Sequence, residues 1–223
     1  MDQIIQSYFN LDVLQKSLPY LLNGMRLTLW LTLAIVPLAI FAGLLVAMLF
    51  DLRIKTVNAA LILYIDLFRA FPPLVLIIFI FYGLPFLGLR LSEFTSFVLA
   101  STLNGAAYFG EIFRAGIGSI PKGQREAATS TGMTRLQAML HVILPQAIRN
   151  VLAPLTGNVI ELVKATSLAS IVAMPELLRS ARIAQGATFN ATPLVAAALI
   201  YLVILWPAVR LAARLERRAI AQR

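Results

Sequence analysis

The 223-residue chain has no cysteine, a single histidine and only ten acidic residues. Without thiols there are no disulfides, no thiolate nucleophile and no cysteine metal site. One histidine cannot supply an H-E-x-x-H helix or a Cys/His cluster. No G-x-x-x-x-G-K-[ST] phosphate loop occurs; GIGSIPKGQ holds glycine and lysine at the wrong spacing, so ATP is not bound by that motif. No nucleophile elbow or other catalytic constellation appears. The chain therefore reads as non-catalytic, with no metal and no cofactor of its own. Charge is also scarce, at 13% of residues against 60% hydrophobic. That balance excludes an ordinary soluble domain and makes a polytopic membrane protein the default class.

What is present is a set of long apolar runs. A helix needs roughly 20 apolar residues to cross the hydrocarbon. Five spans are expected, at about 25–50, 57–84, 94–110, 151–174 and 188–209, within a single domain covering residues 1–223. The second contains Pro72-Pro73, and the third is weakened by Ser, Thr and Asn104. The first lacks signal-peptide flanks: Asp2, Asp12 and one lysine precede it, and no small-residue cleavage site follows. The fold class is thus all-α, a membrane helix bundle.

The net charge of +9 follows the topology and does not point to nucleic acid. Arg53, Lys55, Arg114, Lys122, Arg125, Arg135, Arg149, Arg210, Arg214, Arg217, Arg218 and Arg223 fall on one face. Lys16, Arg26, Arg90, Arg179 and Arg182 fall on the other, twelve against five. The positive-inside bias puts the C-terminus in the cytoplasm and the N-terminus outside. The terminal arginine cluster reads as an anchor against anionic lipid.

Residues 119–145 form a polar, helix-forming segment between the third and fourth runs. Pro121 and Gly123 precede a first short helix, and Gly132 is placed to end it. Thr134 and Gln137 have capping-box spacing for a second. Leu136, Met139, Leu140 and Ile143 give that helix an apolar stripe, and Pro145 is expected to break or kink it. The small side chains of Ala127, Ala128 and Thr131 would admit a partner's groove. A connector lying on the lipid headgroups is the plainer alternative. His141 reads as a packed or headgroup-facing histidine.

Glu126-Ala127-Ala128, three residues, Gly132, nine residues, Val142, one residue and Leu144-Pro145 together resemble the EAA signature of bacterial ATP-binding-cassette importer permeases, with valine in the isoleucine place. The resemblance implies a cytoplasmic coupling elbow whose Arg125, Glu126, Ala127, Ala128, Gly132, Leu144 and Pro145 dock an ATPase subunit. Glu111–Ile117 with Gly123-Gln124, the run from Arg69 to Val75, and Lys164–Ser170 are similar to blocks of the polar amino-acid branch (histidine, arginine and glutamine types). Ala165 stands where many relatives carry Asp. The resemblance further implies a cytoplasmic ATPase dimer that consumes ATP, a periplasmic solute-binding protein and a second permease subunit, identical or related. It implies an inner-membrane location and a polar amino acid as cargo.

Asp66, Arg69, Glu161 and Lys164 lie inside apolar runs, where each unpaired central charge costs roughly 2.5–3.5 kcal/mol. Asp66 with Arg69, and Glu161 with Lys164, stand three apart and could neutralise each other. Alternatively they line a wet pathway with Asn158, which shares about 120° of helical arc with Glu161 and Lys164. An amino acid would then meet a base for its carboxylate and an acid for its ammonium. Pro72-Pro73 leaves carbonyls without amide partners, tolerated only where protein or water covers them. Gly105, Ala106, Ala107 and Gly110 suit close helix packing. Two other functions are compatible with these residues: an ion-gradient-driven transporter, for which the chain is short and lacks an inverted repeat, and a membrane scaffold that recruits a cytoplasmic partner.

Overall fold

The computed structural model describes residues 2–221, with side chains from 3 to 217. Arg223 and the side chain of Arg218, used above for orientation, and the side chain of Asp2, used above for the flank of the first span, lie outside the described residues. Most of the described residues are helical, and no strand occurs among them. In order come α1 (Asp2–Tyr8), α2 (Leu11–Asp51), α3 (Lys55–Ala70), α4 (Pro73–Ile78), α5 (Glu93–Gly118), α6 (Lys122–Ser130), α7 (Arg135–Ala138), α8 (Leu144–Ala165), α9 (Leu177–Thr188) and α10 (Thr192–Ala221). π turns at Phe79–Gly83 and Met139–Ile143 and 3₁₀ turns at Leu84–Leu87 and Thr166–Val172 join them.

Among the described residues three helical stretches are long and apolar enough to cross a membrane: Gln3–Asp51, Arg135–Val172 and Thr192–Arg217. A fourth counts if α3 and the helix after Pro72 are one broken span. The third expected span lies in α5, whose 26 residues are long enough but interrupted by Ser, Thr and Asn. The expected fifth span begins too early, because residues 188–191 close α9 and form the turn before α10.

The chain divides into two compact units. The first holds the residues up to Val36, with Pro72–Ser101 and Ile160–Ala208. Leu21, Leu177, Ala181 and Ala197 form its core, with Met25, Leu194, Ile200 and Tyr201 packed around them. A Cβ at Gly24 would stand 2.6 Å from the Ser180 Oγ and 2.9 Å from the Leu177 Cα, so only glycine lets α2 and α9 touch there. Glu176, fully buried, caps α9 by accepting the Leu178 and Arg179 amides at 2.8 Å each and the Tyr201 hydroxyl at 3.1 Å. Burial pushes its carboxyl above the usual range, and these donors with Arg182 pull it back. The Ala191 amide donates to Ser7 O at 2.9 Å, and the Asn190 side chain to Gln6 O at 2.7 Å, strapping α1 to the turn before α10.

The second unit holds Pro37–Phe71, Thr102–Val159 and the residues from Val209. Its helices cross on small residues. A Cβ at Gly43 would lie 2.8 Å from the Gly110 amide, and one at Gly116 would lie 2.9 Å from Val151. Ala106 and Ala107 are buried, as close packing requires.

Candidate functional site

The polar segment of the second unit folds as two short helices joined by a tight stop. α6 ends at Thr131, and Gly132 takes φ +87°, the left-handed conformation that favours glycine. The Gly132 amide donates to Thr129 O at 3.0 Å and the Met133 amide to Ala128 O at 3.3 Å, the paired bonds of a Schellman stop. The expected capping box then starts α7. Gln137 N–H donates to Thr134 Oγ1 at 3.3 Å, and Thr134 N–H to Gln137 Oε1 at 2.8 Å.

Pro145 does not end this helix. The π turn at Met139–Ile143 runs straight into α8, with Pro145 at its second position. The wider turn just ahead of the proline lets the backbone absorb the missing amide, and Gln146 Nε2 donates to Val142 O at 2.7 Å. The apolar stripe divides. Met139 and Ile143 are buried with Leu144 against Leu44, Met48, Ile117 and Ile120, whereas Leu136 and Leu140 stay exposed.

The residues proposed to dock an ATPase divide in the same way. Glu126, Ala127, Gly132 and Pro145 are exposed. Ala128 and Leu144 are buried within their own unit. Arg125 is also engaged within the chain: its two terminal nitrogens donate to Asp51 Oδ2 at 2.6 Å and Oδ1 at 2.8 Å. A cavity of about 430 Å³ adjoins this pair, lined by Arg53, Ile117, Lys122 and Glu126 among others. His141 Nδ1 lies 3.0 Å from Gln137 O on the exposed side.

The proline pair does what its chemistry dictates. Pro72 and Pro73 lack the amides that would bond Phe68 O and Arg69 O in a continuing helix. Asn104 Nδ2 donates to Phe68 O at 2.7 Å, and Tyr108 OH to Arg69 O at 3.4 Å. Tyr64 OH adds a bond to Leu103 O at 2.7 Å. Two orphaned carbonyls on α3 are thus met by two side chains one turn apart on α5. The sequence signals were available: a Pro-Pro pair marks carbonyls four residues back, and an Asn in an apolar helix marks a donor.

The intramembrane charges behave unequally. Asp66 and Arg69, both exposed on α3, do not form an ion pair with each other; Arg69 lies over the Tyr108 ring at 5.4 Å. Ion pairs join Arg125 to Asp51, Arg114 to Glu111 and Lys164 to Glu161. The last closes at 2.6 Å with side chains 50% and 68% exposed. Asn158 places its Nδ2 in a buried position without a hydrogen-bond partner. Among the described residues no group of acids and histidine could hold a metal.

Residues 35–221 match the family described as binding-protein-dependent transport system inner membrane component. The chain is 37% identical to the probable amino-acid ABC transporter permease protein YckA of Bacillus subtilis, over 86% of each chain. It is 32% identical to the glutamine transport system permease protein GlnP of Escherichia coli K12, over 94% of this chain and 97% of that one. A crystal structure titled as an amino acid ABC transporter with histidines superposes with a TM-score of 0.81 at 36% identity, covering 92% of this chain and 96% of that one. The match over most of the chain and the helical permease architecture make it a member of the binding-protein-dependent transport inner-membrane family, a permease subunit of the ABC importer class.

Proposed function

We propose that this permease carries a polar amino acid from the periplasm to the cytoplasm by alternating access. The observation that carries the coupling part of this reading is the α6–Gly132–α7 elbow, which presents Glu126, Ala127, Leu136 and Leu140 outward on a rigidly stopped and recapped turn. A cytoplasmic ATPase dimer would grip two such elbows, one from each permease copy or from a related second subunit. ATP-driven closure of the ATPases would push the elbows together and turn the pathway outward, toward the periplasmic binding protein. This orientation puts the N-terminus in the periplasm and the C-terminus in the cytoplasm, with five crossings of the inner membrane.

The amino-acid class is supported by the names of the similar permeases. Asn158, Glu161 and Lys164 on α8 and its continuation, with Asp66 and Arg69 on α3, are the groups proposed to meet it. An unpartnered amide donor and an exposed carboxylate–ammonium pair suit a zwitterion. Uptake of labelled amino acids into proteoliposomes tests the proposal. Transport that requires ATP, the ATPase and the binding protein supports it. Uptake driven by an ion gradient without those partners would replace it with a secondary transporter.

A further inference from the structure

Asp51 is the last residue of α2, and Arg125 sits in the first turn of α6. Both charges stand at the wrong end of their own helix. A carboxylate at a C-terminus meets the negative end of the helix dipole, and a guanidinium at an N-terminus meets the positive end. Neither helix gains from its residue alone. Facing each other, the two charges cancel the mismatch, although 74 residues separate them. Both carboxylate oxygens and both terminal guanidinium nitrogens are used, the geometry that arginine supplies and lysine cannot. The side chains are 29% and 18% exposed, against 50% and 68% for the Lys164–Glu161 pair. The surrounding cavity wall adds Arg53 and Lys122 as cations and Glu126 as an anion, so no other carboxylate competes there except Glu126, the next residue along α6.

The geometry points to Asp51 and Arg125 as a strut that fixes the docking helix α6 to the end of the first membrane-crossing helix, which makes Arg125 a positioning residue and not a contact for the partner ATPase. The inference rests on the coupling role proposed above. It separates the motif into a fastening side, Arg125 and Ala128, and a presenting side, Glu126 and Ala127. Displacement of α6 by the ATPase is then delivered to α2 through a short, directional link. Backbone connectivity alone would carry it back through α5, α4 and α3.

The test uses Asp51→Asn and Arg125→Gln, singly and together, in the full chain assembled with its ATPase and binding protein in proteoliposomes. Two quantities are read: ATP hydrolysed per amino acid imported, and amide hydrogen exchange of residues 122–131. Each single variant is expected to raise the ATP cost per transported molecule about tenfold, a buried-pair effect discounted for partial exposure. Each should also speed exchange in α6. The double variant should be no worse than either single one. The swap Asp51→Arg with Arg125→Asp should recover at least half of the coupling. Normal coupling in Asp51→Asn beside a defect in Arg125→Gln would overturn the strut, because Arg125 would then act on the partner directly. Unchanged exchange in both single variants would overturn it as well. A wild-type chain that fails to retain the ATPase counts against the coupling proposal, and the exchange measurement still decides the strut.

Discussion

The elbow and the charged positions on α3 and α8 hold their polar groups in opposite ways. In the elbow, polar groups are tied into closed arrangements: a Schellman stop, a capping box and the Arg125–Asp51 pair each fix a specific geometry. On α8, Lys164 and Glu161 meet only each other, one turn apart and largely exposed, and Asn158 leaves a donor unused. The first arrangement suits a part that must transmit force without deforming. The second suits a part whose polar groups exchange partners. Rigidity here comes from satisfied hydrogen bonds, and availability from unsatisfied or weakly held ones.

The contrast can be broken most severely at Ala128. Ala128→Leu forces three extra carbons into a buried site and should destabilise the chain by about 1–3 kcal/mol. Ala127→Leu, on the exposed side of the same helix, should leave thermal stability in detergent unchanged and reduce ATPase retention. Equal melting temperatures for the two variants would erase the distinction between fastening and presenting sides. Next in size is Gly132→Val. Nothing lies within 4 Å of its missing Cβ, so the cost is backbone strain alone, about 1–2 kcal/mol. Gly132→Asn should be milder, because Asn tolerates the left-handed region. Indistinguishable ATPase pull-down by the Val and Asn variants would show that the stop is not needed.

Asn104→Leu removes the donor to Phe68 O and should cost about 1 kcal/mol, read as a lowered melting temperature. Asn104→Gln should fail to rescue, since its longer side chain misplaces the amide. The smallest stability effect is expected at Glu161→Gln, below about 0.5 kcal/mol for an exposed pair three residues apart. Transport should nevertheless fall, or shift away from basic amino acids, in a panel of acidic, neutral and basic substrates. Unchanged kinetics across that panel would remove Glu161 from the pathway.

What was legible in the sequence follows the range of the interactions. Gly132, Thr134 and Gln137 announce their roles because a helix stop and a capping box are closed within six residues. The all-helical class and the long apolar runs follow from composition and hydropathy. The proline break was visible, but its covering donors were not located, because Asn104 and Tyr108 lie more than thirty residues from the carbonyls they meet. The role of Asp51 is hidden for the same reason: nothing near it in sequence hints at Arg125. Asp66 and Arg69 show the converse. Their spacing permits a pair, yet the guanidinium rests over the Tyr108 ring of a distant helix instead. The small side chain of Ala128 suits a close neighbour on sequence grounds, and the burial of Ala128 within the chain is a tertiary fact.

Asn104 and Pro72 also constrain how this chain could have changed over time. An ordinary residue at 72 would offer Phe68 O its own amide and make the Asn104 donor redundant. An apolar residue at 104, while Pro72 remains, would strand that carbonyl in an apolar bundle. The two substitutions together are mild, but the order matters: with the proline replaced first no carbonyl is stranded, and with the asparagine lost first the chain bears a cost of about 1 kcal/mol. A lineage that loses the asparagine first meets a barrier, so the bend is easier to keep than to abandon.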